Sequence, residues 1–175
     1  MPAPTPAPVP YAEDLRRTVH EAAPRLRALT STEAGTPRAA GKWSPKQIIG
    51  HLVDSATNNH GRFVRAQLDD ALRFEGYDQE RWVEVQKYQG APWPELVDLW
   101  AGLNLHLARV MEVASERTRT KPRAEHALDR LAWEAVPAAE PTTLEYFMRD
   151  YVGHLKHHLR QIDPALADAP VRQRT

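Results

Sequence analysis

The stretch YVGHLKHHL, Tyr151–Leu159, places His154 and His158 four residues apart inside a segment with helical apolar spacing. Positions i and i+4 lie one above the other on a helix face, about 5–6 Å apart at Cβ. Two imidazole nitrogens so placed can converge on one divalent ion, each about 2.0–2.1 Å from zinc. Eight histidines in 175 residues produce about 0.3 such pairs by chance. The motif therefore needs a third ligand and a structural context.

The flanking residues supply the context. Thr142, with Glu145 three positions on, reads as a capping box that opens a helix, and Asp163-Pro164 forbids its continuation. Leu144, Met148, Tyr151, Leu155 and Ile162 share one broad face with the two histidines. His157 lies about 100° around the helix from His158 and leaves the ligand set.

Three more amphipathic segments precede this one. Leu15, Val19, Ala22, Leu26 and Leu29 mark a helix over 11–29, with Pro24 expected to kink or split it. In GKWSPKQIIGHL, Ser44 is the N-cap, Pro45 the first helical residue and Gln47 the partner of a capping box, with Trp43 placed to staple onto Ile48. This helix is expected to reach Leu72. The third long helix opens at Pro92, with Pro94 tolerated in its first turn and Leu96, Leu99 or Trp100, Leu103, Leu107, Val110 and Ala114 as its stripe. Segment 73–90 reads as a long connection, a lid or a crossover, holding a short helix capped by Asp78. Segments 31–41 and 118–141 read as irregular. No strand pattern and no internal repeat appear, so the expected fold is all-α, a four-helix bundle with short extra helices in its connections. Residues 11–175 form one domain in this reading, and the proline-rich residues 1–10 a mobile arm.

A bundle builds metal sites from inward side chains on facing helices. His51 combines a long helix, an inner-edge position and polar neighbours in Asp54, Ser55 and Asn58. It is the candidate third ligand; a polar helix flank with a hydrogen-bonded histidine remains the competing reading. Three imidazoles leave one coordination position open, the layout of a catalytic site. Asp54, one turn from His51, is either an orienting carboxylate and proton acceptor or a helix-surface ion pair. His20, His106 and His126 read as structural or surface residues. Asn58, Tyr77 and Trp82 are candidates for lining a pocket.

Lys plus Arg number 23, as do Asp plus Glu, so the formal charge is zero and gives no support for nucleic-acid binding. Cysteine is absent, which removes thiol nucleophiles and thiolate ligands and fits a cytoplasmic protein. The N-terminus has no signal-peptide pattern, and no apolar run reaches membrane-spanning length, so no membrane association is expected.

Four blocks carry a family resemblance: WSPKQIIGHLVDS at 43–55, RFVRAQL at 62–68, YDQERW at 77–82 and HLKHHL at 154–159. In their order, and in the pairing of the first with the last, they resemble the DinB/YfiT-like metalloenzymes, bacillithiol S-transferases among them. The resemblance implies a bundle with non-simple helix order, a homodimer, and a divalent metal held by His51, His154 and His158. Zinc is the first choice of metal, with nickel or another transition metal as alternatives. It further implies a transferase acting on a small-molecule substrate with a low-molecular-weight thiol of the bacillithiol or mycothiol type as co-substrate; a hydrolase is the second choice. The alternative from another class is a non-catalytic, stress-associated metal-binding or interaction protein.

Overall fold

The computed structural model describes residues 8–167, which contain eight α-helices and no strand. In chain order they are α1 (Pro10–Arg27), α2 (Ser31–Gly35), α3 (Pro45–Arg65), α4 (Gln79–Gln86), α5 (Trp93–Val113), α6 (Glu116–Thr120), α7 (Leu128–Leu131) and α8 (Leu144–Ile162). The four long ones form the bundle. Residues 1–7 of the expected arm lie outside the described residues. Val9 is buried as the N-cap of α1, and Pro10 is that helix's first residue.

Cross-helix bonds give the directions. Arg16 on α1 grips Glu112 on α5 through two 2.8 Å bonds, and the Trp93 indole donates to the Leu26 carbonyl at 2.7 Å. These helices are therefore antiparallel neighbours. On α3 and α8 the ring of Phe63 meets those of Phe147 and Tyr151 at 5.5 and 5.8 Å, while His51 meets His154 at the other end. This pair is antiparallel too. The Tyr88 ring packs on Gly50 near the start of α3, just before α5 begins, and His60 meets His106 further along, so α3 and α5 run parallel. The direction order is thus up, down, down, up. Connection 66–92 has to bring the chain back along the bundle, so it is a crossover.

The structure corrects several boundaries. Pro24 does not split α1. It falls on the exposed side of the last turns, where the helical bond it removes exposes a carbonyl to water. Helix α3 stops at Arg65, not Leu72: the apolar spacing continues, yet Leu68 is 85 % exposed. Thr143, not Thr142, caps α8, its hydroxyl accepting the Tyr146 amide, and Glu145 pairs with Arg119 at 3.1 Å instead of closing a capping box. Segment 31–41 holds α2, which has a complete Thr30–Glu33 capping box. Segment 118–141 holds part of α6 and all of α7, and it is pinned by an isolated bridge from Leu72 to His126 and another from Arg123 to Thr142. The Ser44–Gln47 capping box of α3 is present as expected.

Candidate metal centre

The antiparallel contact of α3 with α8 sets His51 against His154 and His158. One ring nitrogen from each lies within 4.8 Å of the other two. The Nε2 atoms of His51 and His154 are 3.4 Å apart. Two nitrogens on a tetrahedral ion at about 2.0–2.1 Å stand about 3.3 Å apart, so the spacing suits a shared cation. It also suits one shared proton, since only one ring can donate to the other.

Burial tunes these rings. His51 is fully buried on α3, with the Trp43 ring 5.3 Å from it. Desolvation, helped by His158, lowers the His51 pKa to about 3; desolvation, with His158 and His51 adding, lowers that of His154 to about 3 as well. Burial lowers His158 in the same direction, against the hydrogen bond that Gln161 accepts from it. All three are thus neutral near pH 7, the protonation state a metal requires. His158 Nδ1 is 3.0 Å from the Gln161 Oε1 acceptor, which places the ring proton on Nδ1 and turns the Nε2 lone pair away from it. His51 Nδ1 is buried without a hydrogen-bond partner. The donor set, three neutral imidazoles with no thiolate or carboxylate, fits a borderline ion such as zinc or nickel.

His157 points elsewhere: its ring lies 5.3 Å from Trp133 and its Nε2 3.2 Å from the Gln161 amide. His106 is exposed and meets His60 at 3.2 Å. His126 is held in the loop, its Nε2 2.8 Å from the Glu140 carbonyl and its Nδ1 accepting the Leu128 amide.

Asp54 is no surface ion pair. It is 3 % exposed, and its Oδ1 accepts the Tyr88 hydroxyl at 2.6 Å and the Gln86 amide at 2.8 Å. Among the described residues none of its bonds goes to an imidazole. Burial raises its pKa, against the pull of those two donors, and Oδ2 is left buried without a partner. Asp54 thereby fastens the end of α4 and the turn after it onto α3.

Beside the histidines opens a cavity of about 380 Å³ lined by Ser55, Arg62, Tyr77, Trp133 and Tyr151 together with His154 and His158. A second one, about 610 Å³, meets His158 from the side of Trp43 and Lys42. Of the pocket candidates, Tyr77 lines the first cavity, its pKa pushed up to about 12 by burial and Asp54. Asn58 and Trp82 line a separate groove with Tyr77. Trp133 comes from a segment without periodicity, and nothing local in the sequence announces it. Gln161 was readable as the i+3 neighbour of His158.

The chain is similar to several known proteins. A protein of Bacillus pumilus (strain SAFR-032), named as a candidate metal-dependent hydrolase, is 31% identical over 135 residues, 77% of this chain and 70% of its own. YfiT of Bacillus subtilis (strain 168), named likewise, is 23% identical over 137 residues, 78% of this chain and 71% of its own. A similarly named protein of Bacillus cereus (strain G9842) matches over 75 residues at 27% identity, so the chain spans 43% of that relative's length. Among solved structures, YfiT from Bacillus subtilis, described as having an unusual four-helix bundle topology, superposes with a TM-score of 0.70 at 21% identity, covering 90% of this chain and 84% of that one. No described helix is long and apolar enough to cross a membrane. The family model for the DinB superfamily matches residues 14–162, and the chain belongs to that superfamily.

Proposed function

We propose that the chain is a metal-dependent enzyme whose divalent ion is held by His51, His154 and His158, and that it transfers a low-molecular-weight thiol of the bacillithiol or mycothiol type to a small electrophile. The observation that carries this reading is the convergence of three neutral imidazoles beside a cavity of about 380 Å³. When bound, the ion supplies an open Lewis-acid position that lowers the pKa of a coordinated thiol or water. The chain's own residues do the rest. Gln161 orients His158, burial keeps the imidazoles unprotonated, and Asp54 acts as a positioning residue through Tyr88 and Gln86. In the transfer itself the thiol sulfur forms a bond to the electrophilic carbon, the thiol proton passes to solvent, and the leaving group departs with its electron pair. The lack of cysteine is consistent with this, because the co-substrate brings the sulfur.

The test is metal analysis of protein made without a histidine tag, followed by thiol conjugation of a model electrophile. One ion per chain is expected, lost from His51→Ala, His154→Ala or His158→Ala while circular dichroism keeps its helical signal. Protein that holds no metal and takes none up sinks the proposal. The names of the relatives favour hydrolysis as a second reading. Mass analysis of the product separates the two, since only transfer leaves the thiol on the product. Bound metal with neither product supports the non-catalytic alternative.

A further inference from the structure

Arg62 is 5 % exposed, lines the cavity beside His154 and His158, and has no carboxylate in ion-pair range among the described residues. Its Nη2 donates to the Glu75 carbonyl at 2.7 Å, and its Nη1 reaches the Asn59 side-chain oxygen at the outer limit of 3.5 Å. Both acceptors are neutral, and a guanidinium carries five N–H donors. A buried cation served only by neutral acceptors is costly, whereas a carboxylate presented to it forms paired, charge-assisted bonds.

The surroundings do not neutralise it. The Tyr77 phenol acts on it favourably but is uncharged near pH 7, and the like charge of Arg65 acts against it. Asp150, the acid that lines the same cavity, has both oxygens engaged by the Trp133 and Glu134 amides at 2.8 Å. Arg123 offers a contrast: it too is buried on carbonyls, but Asp69 and Asp70 act on it favourably. Among the described residues Arg62 alone joins burial, absence of a counter-charge and a place on the wall of the histidine cavity.

We propose that Arg62 is the anchor for a carboxylate of the molecule that binds beside the three histidines. The site therefore selects acidic substrates. This rests on reading the cavity as the substrate site, and it names the chemistry of what enters. The carboxylate belongs either to the thiol co-substrate or to the second substrate.

The experiment uses full-length, cobalt-loaded protein and two thiols of equal length, 3-mercaptopropionate and 3-mercapto-1-propanol, followed by the cobalt absorption spectrum. A charge-assisted pair predicts that the acid binds about 10-fold or more tighter than the alcohol. Arg62→Gln should bring the ratio to about one, and Arg62→Lys should keep part of it, because the charge stays while the fork geometry goes. An unchanged ratio in Arg62→Gln overturns the proposal. Circular dichroism identifies a variant that fails to fold, and the lysine variant then carries the comparison.

Butyrate, which has no sulfur, is titrated in parallel against the metal-free protein by calorimetry. Binding to the wild type that vanishes in Arg62→Gln supports the anchor even if neither thiol moves the spectrum, a result that removes only the thiol reading. No binding of butyrate together with equal binding of the two thiols overturns the anchor. Butyrate that competes with 3-mercaptopropionate assigns the carboxylate to the thiol; butyrate that binds beside it under Arg62 control assigns it to the second substrate.

Discussion

Gln161 acts on the site without touching the point where the three rings meet. Its side-chain oxygen accepts a hydrogen bond from His158 Nδ1. Removing that acceptor frees the ring to rotate and change tautomer. Gln161→Leu should weaken metal binding by about 10–100-fold, measured by competition with a chromogenic chelator, and Gln161→Glu should keep most of it. The buried rings also set an acid limit. His51 and His154 titrate near pKa 3 in the fold against 6.5 as a reference. Between those values the unfolded chain binds protons that the folded chain refuses. Stability present above pH 6.5 is therefore lost as pH falls through this window, by up to about 1.4 kcal/mol per pH unit for each ring. Denaturant titrations of metal-free protein between neutral and acid pH should show the slope, and His51→Gln should reduce it. At this scale the three histidines were legible in the sequence, because i, i+4 spacing and a cap-defined helix are local signals. The partners of Asp54 were not. Tyr88 and Gln86 reach it from 34 and 32 residues away, across a connection whose path no periodicity describes.

Among the elements, α3 depends on one small residue. A Cβ built on Gly50 would lie 2.2 Å from Tyr88 Cδ2 and 2.3 Å from its Cγ, so the root of the ring, not its tip, occupies that space. Gly50→Ala should destabilise the fold by about 1–3 kcal/mol in denaturant melts. The cost should largely disappear against a Tyr88→Ala background, a coupling that a double-mutant cycle reads directly. Loss of a cap is the other element-scale weakness. Thr143→Ala should cost about 1 kcal/mol, since the hydroxyl serves the Tyr146 amide at 3.0 Å. The starts of α3 and α5 were readable from Ser44, Pro45 and Pro94. The end of α3 was not, because Leu68 and Ala71 continue the apolar spacing past Arg65, and only the fold shows that Leu68 meets no core. For α8 two adjacent threonines offered two caps, and the bridge from Thr142 to Arg123 decided between them.

For the whole molecule, the up, down, down, up arrangement leaves α1 beside α5 and α8, and α3 beside the same two. The Tyr151 hydroxyl donates to the Asn104 side chain at 2.5 Å, crossing the core between the diagonal pair α5 and α8. Periodicity foretold the four long helices, but helix order depends on which faces match after the chain has crossed over, and that information is spread over the core. A ligand that joins α3 to α8 should act on this level. Saturating metal at about 100 times its Kd should add about 2.7 kcal/mol to unfolding, and the increment should be absent in His154→Ala. Thermal melts with and without metal measure it.

The 103 residues that separate His51 from His154 carry one last consequence. During synthesis α3 leaves the ribosome early, and α1 and α5 can pack with it while α8 is still being translated. A single exposed imidazole holds an ion weakly. If the three histidines hold the ion as proposed, nascent chains cannot capture it before α8 has been made. In the proposed reading metal occupancy reports that α8 has been made: products truncated or stalled before α8 should emerge metal-free, whatever the supply of ions.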